Sequence, residues 1–509
     1  MLSYEFFWWA TWLSISYGLL LGFYRVYLHP LAKFPGPKLT AATGWYETYI
    51  DLFQRPRRNF TDEIARLHDI YGPIVRINPH ELHVRDSKWV NTLYSGPSGK
   101  RDKYPPAALL TGTPEGIFGT VPHDLHKLRR GAINPLFSKT NVAAAVPMIF
   151  YHTDKLIARV KGQVARDGFA EMRANCLAFT TDTVAQYSTG ESRKLLDDEA
   201  LAAQWRRSMT NLSNWTSVGR HFSWVLLLVL IMPMALLRRV FPDVIPMVKL
   251  HQDMLSLALQ SIITGPKSKD ANSGPSNVFS TIIASDDLPP SEKAAGRISQ
   301  EGIVLVAAGS ETAARTITTA IYFILKNRST VQARLEEELE WAIPNPSSRP
   351  TLKDLQSLPW LSAIIKESLR IMALPTMRFP LMPHEPLQYD DWVIPARTPI
   401  SMTFREVLLD DKIFENPHEF HPERWLDSNP NLEKLSRHFV AFGRGNRMCI
   451  GMNLAYAELY IVLACLFRRL RLRLHDSILG QNLDIMRDCF VGETLQDAKG
   501  LRVMYEYTQ

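Results

Sequence analysis

A chain of 509 residues, of which 46% are hydrophobic, is long enough to bury a large core, and length alone allows about three domains. The formal net charge of +7 fits a membrane surface, an acidic protein partner or an ordinary solvated surface, and we expect no nucleic-acid partner. The four cysteines show neither paired spacing nor a C-x-x-C motif, which argues against a secreted disulfide framework and favours a reducing compartment.

The first predicted element is an apolar helix. Phe6 to Tyr24 is a run of nineteen residues without a charge, and a helix of that length spans roughly 28 Å at 1.5 Å per residue. Only Glu5 precedes this run, whereas several basic residues follow it: Arg25, His29, Lys33 and Lys38. The positive-inside tendency therefore places the rest of the chain in the cytosol. We predict a transmembrane anchor over residues 1–24, with a cleaved signal peptide as the alternative.

A proline-rich segment follows the apolar run. Residues 25–40 contain three prolines, which forbid a continuing helix and predict a stiff hinge. Further on, Ile74 to Ile77 and Leu82 to Val84 predict two short strands paired around Asn78 and Pro79. This hairpin is the main β signal near the hinge.

A second apolar run extends from Phe222 to Leu237. Pro233 interrupts it and two arginines close it, so it is too short to span a bilayer. Such a segment either rests in the membrane surface or forms a buried helix. The sequence leaves both interpretations open.

Residues from about Pro290 to Leu325 predict one long helix without an internal proline. Gly309 in its middle costs about 1 kcal/mol relative to alanine, so we expect another group to approach it closely. Glu311 and Thr312 place a carboxylate beside a hydroxyl, a pair that can hold and relay protons. The alternative is that Thr312 bonds to a helical carbonyl and Glu311 is a surface acid.

A cysteine lies in a glycine-rich loop near the carboxyl end. Gly443 and Gly445 allow a tight turn, and Met452 to Ala464 predict a helix directly after it. Cys449 therefore lies near a helix N-terminus, where negative charge is favoured, and its thiolate is suited to ligating a metal. The alternative is a buried free cysteine.

The segment from Phe442 to Gly451 resembles the haem-binding loop of cytochrome P-450 enzymes, F-G-x-G-x-R-x-C-x-G, at every fixed position. Residues 308–312 also resemble the oxygen-activating motif of that family, [AG]-G-x-[DE]-T-[TS], from which the chain departs only at Ala313. The hinge sequence, H-P-L-A-K-F-P-G-P, resembles that of family members from fungal secondary metabolism that are similar to trichodiene oxygenase.

The resemblance implies a fold that is mainly α with a small β region. In this cytochrome P-450 fold, residues 41–509 form an α-helical haem domain, preceded by a hinge at 25–40 and one N-terminal transmembrane helix. Localisation would be the endoplasmic reticulum membrane, with a single pass and a cytosolic haem domain. Side chains from Tyr104 to Phe118, around Phe222 and near Val306 would line the substrate pocket.

The resemblance also implies the roles of individual residues. Cys449 would be the axial ligand of a haem b iron, and Phe442 would pack near the sulfur. The haem propionates would be contacted by basic residues: Arg447, His126, Arg130 and Arg378. A buried ionic network would join the E-x-x-R pair to a later arginine: Glu367, Arg370 and Arg424. Three further positions depart from the family pattern, since His126 replaces an aromatic residue, Leu381 replaces a basic residue and Arg397 replaces a glycine.

The implied function is a membrane-bound monooxygenase. It would take electrons from NADPH through a flavin-containing NADPH-cytochrome reductase, and Lys434, Arg437 and Arg444 would form the docking surface or simply a solvated one. Thr312 would hold oxygen and water while Glu311 relays protons. The substrate would be an apolar small molecule, a terpenoid or polyketide intermediate. The alternatives are a haem-thiolate isomerase or dehydratase, and a haem-binding protein without turnover.

Overall fold

The computed structural model describes residues 2–54, 59–94, 99–265, 277–475, 489–492 and 500–506. The described residues are mainly helical with small sheets, which confirms the predicted class. The α-helices are α1 Leu2–Phe23, α2 Lys38–Ala42, α3 Trp45–Leu52, α4 Phe60–Tyr71, α5 Val90–Leu93, α6 Pro105–Ala108, α7 His123–Ile133, α8 Lys139–Ala144, α9 Val146–Asp167, α10 Met172–Thr189, α11 Glu199–His221, α12 Ser223–Ile231, α13 Met234–Val240, α14 Ile245–Thr264, α15 Val278–Ile283, α16 Ala295–Lys326, α17 Ala333–Ala342, α18 Leu352–Gln356, α19 Pro359–Met372, α20 Phe404–Leu408, α21 Leu432–Arg437 and α22 Met452–Arg469.

The β-strands are short and lie in three sheets. They are β1 Ile74–Arg76, β2 Leu82–Val84, β3 Arg101–Lys103, β4 Ala170–Glu171, β5 Leu381–Pro383, β6 Leu387–Tyr389, β7 Trp392–Ile394, β8 Ile400–Ser401, β9 Leu472–Leu474 and β10 Arg502–Tyr505. The largest sheet has the order β1-β2-β8-β5-β3. Its antiparallel β1–β2 pair, with Ile74 opposite Val84, is the predicted hairpin.

The N-terminal apolar helix continues past the predicted boundary. After α1, a π-helical turn runs over Tyr24–Leu28. The segment Glu5–Leu28 is long and apolar enough to cross a membrane, and none of it is buried against the protein. Exposed apolar surface of this extent is consistent with a membrane anchor.

The proline-rich segment packs against the globular part of the protein. Leu31 and Phe34 are buried in a core with residues of the largest sheet, and the Phe34 ring stacks on Trp392 with centroids 5.0 Å apart. The backbone N–H of Arg76 in β1 donates to the carbonyl of Pro35 over 2.7 Å. The segment that follows the apolar helix is therefore held to the globular part at several points.

The second apolar run forms α12 and α13, which break at Pro233 as predicted. Large apolar side chains on both helices are exposed: Trp224 and Ile231 of α12 have 59% and 76% of their surface accessible, and Leu236 of α13 has 47%. This exposure contradicts the alternative of a buried helix. The run therefore adds a second exposed apolar surface to the one on α1.

The longest helix, α16, is the central element of the core. It packs against α10, α14, α19 and α22, and its buried residues occupy all of its faces, which is typical of a helix enclosed by the protein. Gly309 lies where α10 crosses it. A Cβ atom at Gly309 would lie 2.6 Å from Cγ2 of Val184, so the predicted close approach is confirmed.

Replacing Gly309 with alanine is expected to lower the melting temperature of the purified protein. The added methyl group overpacks the contact with Val184, which costs about 1–3 kcal/mol and outweighs the gain in helix propensity of about 1 kcal/mol. Gly162 is the matched control, because it is exposed on α9 and a Cβ added there would meet nothing within 4 Å. Gly162→Ala should raise the melting temperature, and equal shifts for the two variants would contradict the packing account.

A buried carboxyl group lies on α20. Glu406 has no hydrogen-bond partner for either carboxylate oxygen among the described residues, and its nearest ionisable contact is Nε2 of His83 at 4.0 Å. Burial raises the pKa of Glu406 to about 8, although the Arg85 charge lowers it in part. The native state therefore holds a neutral carboxyl at a pH where the unfolded chain ionises it.

This shift predicts how stability depends on pH. Since the folded pKa of about 8 exceeds the usual 4.5, the unfolded state loses its proton first, and stability falls as pH rises from 4.5 to 8. Glu406→Gln removes this dependence. Thermal unfolding should therefore show an advantage for the variant that is absent below pH 4.5, grows toward pH 8 and then levels off. A constant difference across this range would contradict the assignment.

Candidate active site

The cysteine loop lies between α21 and α22. Gly443 and Gly445 adopt φ of 70° and 67°, in the left-handed region that favours glycine. The backbone N–H of Cys449 donates to the carbonyl of Phe442 over 2.8 Å, which closes the loop. The predicted tight turn is confirmed, and it ends three residues before α22 begins at Met452.

The thiol of Cys449 faces a cavity inside the protein. Its side chain is exposed to that space, yet burial within the protein raises the pKa of the thiol, which a backbone hydrogen bond from Gly451 and the Arg130 charge lower only in part. A thiol in this setting needs a cation at the sulfur to lose its proton. Metal ligation supplies such a cation and deprotonates the thiol outright.

The cavity has a volume of about 330 Å³ and is mostly apolar. Ala308 is exposed although most of α16 is buried, because the cavity opens beside it. Thr312, one turn further along α16, also lines the cavity. The described residues thus bring Thr312 and Cys449 to one space.

Basic residues line the same cavity. Arg447 donates to the carbonyls of Thr120 and Val121 over 2.6 and 2.9 Å, and Arg130 donates to the carbonyl of Met448 over 2.6 Å. The others are Lys103, His126 and Arg444. The acceptors of Arg447 and Arg130 are backbone carbonyls and carry no compensating charge.

The electrostatics of this basic group favour an anion. Burial, followed by the charges of Arg447 and Arg130, lowers the pKa of His126 to about 2. Glu458 is the one carboxyl group among the described residues that line the cavity, and burial raises its pKa well above the usual value, which keeps it neutral. The positive charges therefore have no anionic neighbour in the described lining.

These features fit a haem. The apolar walls suit its macrocycle, the thiol suits its iron, and the basic group suits its two carboxylates. Cys449, Phe442, Arg447, Arg130 and His126 all line the cavity, and their roles in binding a cofactor stay predictions. The Phe442 ring lies beside Tyr456, with centroids 5.2 Å apart.

The structure does not bring Arg378 to this cavity, so its predicted propionate contact needs correction. Its guanidinium lies between two buried carboxylates, at 2.8 Å from Glu47 and 2.7 Å from Glu81. Those two charges compensate the arginine, which lines a separate cavity of about 430 Å³. Tyr104 and Phe222, predicted as pocket residues, also line that second cavity.

Some of the residues predicted to line the substrate pocket do line the cavity that contains Cys449. Ile117 and Phe118 lie at the end of the predicted 104–118 segment and line the cysteine cavity. On α16 the lining residues include Val304 and Leu305, whereas Val306 is fully buried in the core. Because of the helical period, Val306 lies on the side of α16 that faces away from the cavity.

Thr312 and Glu311 face different surroundings. The Thr312 hydroxyl donates to the carbonyl of Ala308 over 2.8 Å, which leaves its lone pairs free to accept from a ligand or water. Glu311 is buried and paired with Arg173 and Arg315, each at 3.0 Å. Burial raises the pKa of Glu311, but the two arginines outweigh it and hold the pKa below its usual value. Glu311 is not among the residues that line the cavity.

The predicted ionic network is present and buried. Arg370 binds both oxygens of Glu367 at 2.9 and 2.8 Å, and Arg424 lies 3.3 Å from the same carboxylate. The indole N–H of Trp425 also donates to Glu367 over 2.9 Å, a contact that sequence reasoning missed. Arg370 further donates to carbonyls of the segment that leads to the cysteine loop, including that of Pro417 at 2.7 Å.

The departures from the family pattern at Arg397 and Leu381 have a structural context. Arg397 has a φ of 62°, in the left-handed region, which explains why glycine is common at that place, and it forms an ion pair with Asp102. Leu381 lies in β5 directly opposite Lys103 of β3, and both line the cavity. Sequence reasoning missed Lys103, since one lysine in a charged strand carries no distinguishing signal.

Comparison with known proteins identifies the family. The sequence model described as Cytochrome P450 matches residues 43–485. The chain is 39% identical to a tryptophan 6-hydroxylase, fscE, of Fusarium equiseti over 94% of this chain and 93% of the relative. It is 36% identical to the cytochrome P450 monooxygenase sdnE of Sordaria araneosa and 34% identical to the N-acetyltryptophan 6-hydroxylase ivoC of Emericella nidulans, with at least 96% of each chain covered.

The class is therefore that of haem-dependent oxidoreductases acting as monooxygenases. The chain belongs to the cytochrome P450 family. Proteins of this family use haem with an axial thiolate, receive NADPH-derived electrons from a redox partner and act on small molecules. The relatives are fungal enzymes of secondary metabolism, in agreement with the resemblance seen in the hinge.

The Glu367 network predicts a large effect of one substitution. Glu367→Ala leaves Arg370 buried without its partner, which typically costs about 3 to 5 kcal/mol. We expect the variant to lose haem incorporation or to unfold, as measured by haem content per purified chain. Glu433→Ala is the control, because Glu433 pairs with Arg437 on the exposed surface, and it should retain haem. A stable, fully loaded Glu367→Ala protein would contradict the role of the network.

Proposed function

We propose that this chain is a membrane-anchored monooxygenase of secondary metabolism in which Cys449 is the axial haem ligand. The observation that carries the proposal is the Cys449 thiol, which faces an interior apolar cavity also lined by Thr312 and by basic residues. When bound, haem supplies the activation of O₂ that the side chains of this protein cannot perform. A non-catalytic haem-binding protein would not need a hydroxyl group at this position in the central helix.

The cofactor-binding residues have separable roles. Arg447 and Arg130 would bind the haem carboxylates through their charges, and their bonds to backbone carbonyls hold the two guanidiniums at the cavity. His126 would donate a hydrogen bond as a neutral imidazole, since its lowered pKa keeps it uncharged. Phe442 would shield the sulfur from water.

Thr312 would deliver protons during O–O cleavage. Its hydroxyl donates to the carbonyl of Ala308 and can accept from a water in the cavity, so it would hold that water as the proton donor on the side of α16 that lines the cavity. A relay through Glu311 would require one of its two ion pairs to open, because both arginines lie at 3.0 Å. The geometry therefore supports Thr312 more directly than Glu311.

The substrate would be an apolar small molecule. The hinge resemblance favours a terpenoid or polyketide intermediate. A second candidate is an aromatic compound, because Phe118, Phe379 and Phe490 meet edge to face in the cavity lining, with centroids 5.6 to 6.0 Å apart. Two of the relatives are named for hydroxylation of tryptophan or N-acetyltryptophan, which also favours an aromatic ring.

The redox partner would be an NADPH-cytochrome reductase, a flavoprotein with an acidic docking face. Lys434 and Arg437 are exposed on α21, just before the cysteine loop in sequence. Arg444 donates to Asn91 and also lines the cavity. Exposed cations near the cofactor would steer the reductase to the side from which electrons enter.

The membrane partner would be the lipid of the endoplasmic reticulum. The exposed apolar segment Glu5–Leu28 would span the bilayer once, and exposed side chains of α12 such as Trp224 would rest in the same membrane surface. Two exposed arginines follow at the end of α13, where they would meet anionic headgroups: Arg238 and Arg239.

The proposed function is tested by isotope labelling. A host expressing the chain with a reductase would be fed apolar terpenoid, polyketide and indole compounds under ¹⁸O₂, and its metabolites compared with those of a Cys449→Ala strain. We expect one product with a single labelled oxygen that is absent from the variant strain. An isomerised or dehydrated product without label would instead establish the isomerase or dehydratase alternative.

Thr312→Ala should uncouple electron flow from product formation. Without the hydroxyl the cavity would lose the group that holds its proton-donating water, so NADPH consumption should continue while peroxide replaces product. Thr312→Ser keeps the hydroxyl and should restore most of the coupling. Thr264→Ala, an exposed threonine at the end of α14, is the remote control. The proton-delivery role fails if the ratio of product to NADPH is unchanged in Thr312→Ala.

A further inference from the structure

The β3–β5 strand pair contributes a cation to the cysteine cavity. Lys103 is the last residue of β3, and the antiparallel register sets it opposite Leu381. Both side chains line the cavity that holds Cys449. Directly opposed residues have Cβ atoms about 4.5–5.5 Å apart, so a long basic side chain at either position reaches the same part of the cavity.

Lys103 is poorly compensated for a buried cation. It is 5% exposed, and its ammonium donates to the carbonyl of Phe118 over 2.7 Å and lies 3.1 Å from the centroid of the Phe118 ring. No carboxylate forms an ion pair with it in the described part of the chain. An ammonium has three donors, and a buried cation without an anionic partner is costly.

The acidic residue next to Lys103 does not serve as its partner. Asp102 binds Arg397 and accepts from the backbone N–H of His123 over 2.8 Å. Successive side chains of a strand point to opposite faces, so Asp102 lies on the face away from the cavity. Burial, followed by the charge of Arg447, lowers the pKa of Lys103 well below its usual value, so an anion beside this amine would favour its protonated form. Arg447 precedes Cys449 by two residues.

We propose that Lys103 binds a haem carboxylate and forms, with Arg447, one charged end of the cofactor site. A carboxylate beside both cations would satisfy the free donors of Lys103 and relieve the repulsion between the two charges. The inference rests on the proposed haem site of this chain but not on the identity of its substrate. A carboxylate group on the substrate would make the same contact with Lys103, and the experiments below separate it from a haem carboxylate.

The contact between Lys103 and haem can be tested without turnover. The measurement is the rate at which the purified, full-length holoprotein releases haem to an excess of apomyoglobin. A lost hydrogen bond to a charged group should accelerate release about ten- to hundredfold in Lys103→Met. Lys103→Arg should stay near the wild-type rate. Lys127→Met is the matched control, because Lys127 is exposed on α7 next to His126, and it should not change the rate.

A cross-strand exchange separates charge from folding. The double variant Lys103→Leu with Leu381→Lys moves the ammonium to the facing strand and should restore slow haem release. Unchanged release in Lys103→Met, or no restoration in the double variant, would overturn the proposal. If the wild-type protein itself holds no haem, the proposed function fails instead.

Ligand titrations test the other carboxylate source. Carboxylic acids and their methyl esters, chosen from aromatic compounds, can be compared by the spectral change they cause on binding. We expect Lys103→Met to leave the preference between acid and ester unchanged. Selective loss of acid binding with an unchanged haem release rate would assign Lys103 to the substrate and overturn its contact with haem.

Discussion

The main physical constraint on this structure is the free energy that it costs to bury positive charge and a thiol around an apolar cavity. Arg447, Arg130 and Lys103 line this space with backbone carbonyls as their acceptors, and the one carboxyl group of the described lining, on Glu458, is kept neutral by burial. Unpaired buried charges are strongly unfavourable. A ligand with an apolar ring, a metal and two carboxylates removes each of these costs at once, so cofactor binding and stability are linked.

The surrounding scaffold keeps this space open. Gly309 lets α10 approach α16 closely, which fixes the wall that bears Thr312. On the other side, Glu367 and Arg370 tie α19 to the segment before the cysteine loop through hydrogen bonds to backbone carbonyls. Rigid walls of this kind position Cys449 and Thr312 relative to each other before any ligand binds.

Sequence reasoning succeeded where a local pattern has a single physical solution. The glycines at 443 and 445 require positive φ, and a mid-helix glycine at 309 requires a close neighbour; both expectations match the structure. The Glu367 network was predicted only through the family resemblance, because an E-x-x-R spacing is common in any helix. These constraints act within one element or between two neighbouring ones.

Sequence reasoning did not reveal the ion-pair partners of charged residues that only the tertiary fold brings together. Arg378 pairs with Glu47 and Glu81, which are some three hundred residues away in sequence, and Glu311 pairs with Arg173 of a different helix. Lys103 enters the site only through the β3–β5 register. No periodicity in one sequence encodes such long-range pairings.

The central claim is that Cys449 ligates haem iron in this cavity, and the carbon monoxide spectrum of the reduced protein tests it most directly. A thiolate ligand on the iron would shift the Soret band of the carbon monoxide complex to a longer wavelength than a histidine ligand would. We predict the long-wavelength band for the wild-type protein and its complete loss in Cys449→Ser, even where haem is retained. The same long-wavelength band in both proteins would show that another residue is the ligand and would contradict the account.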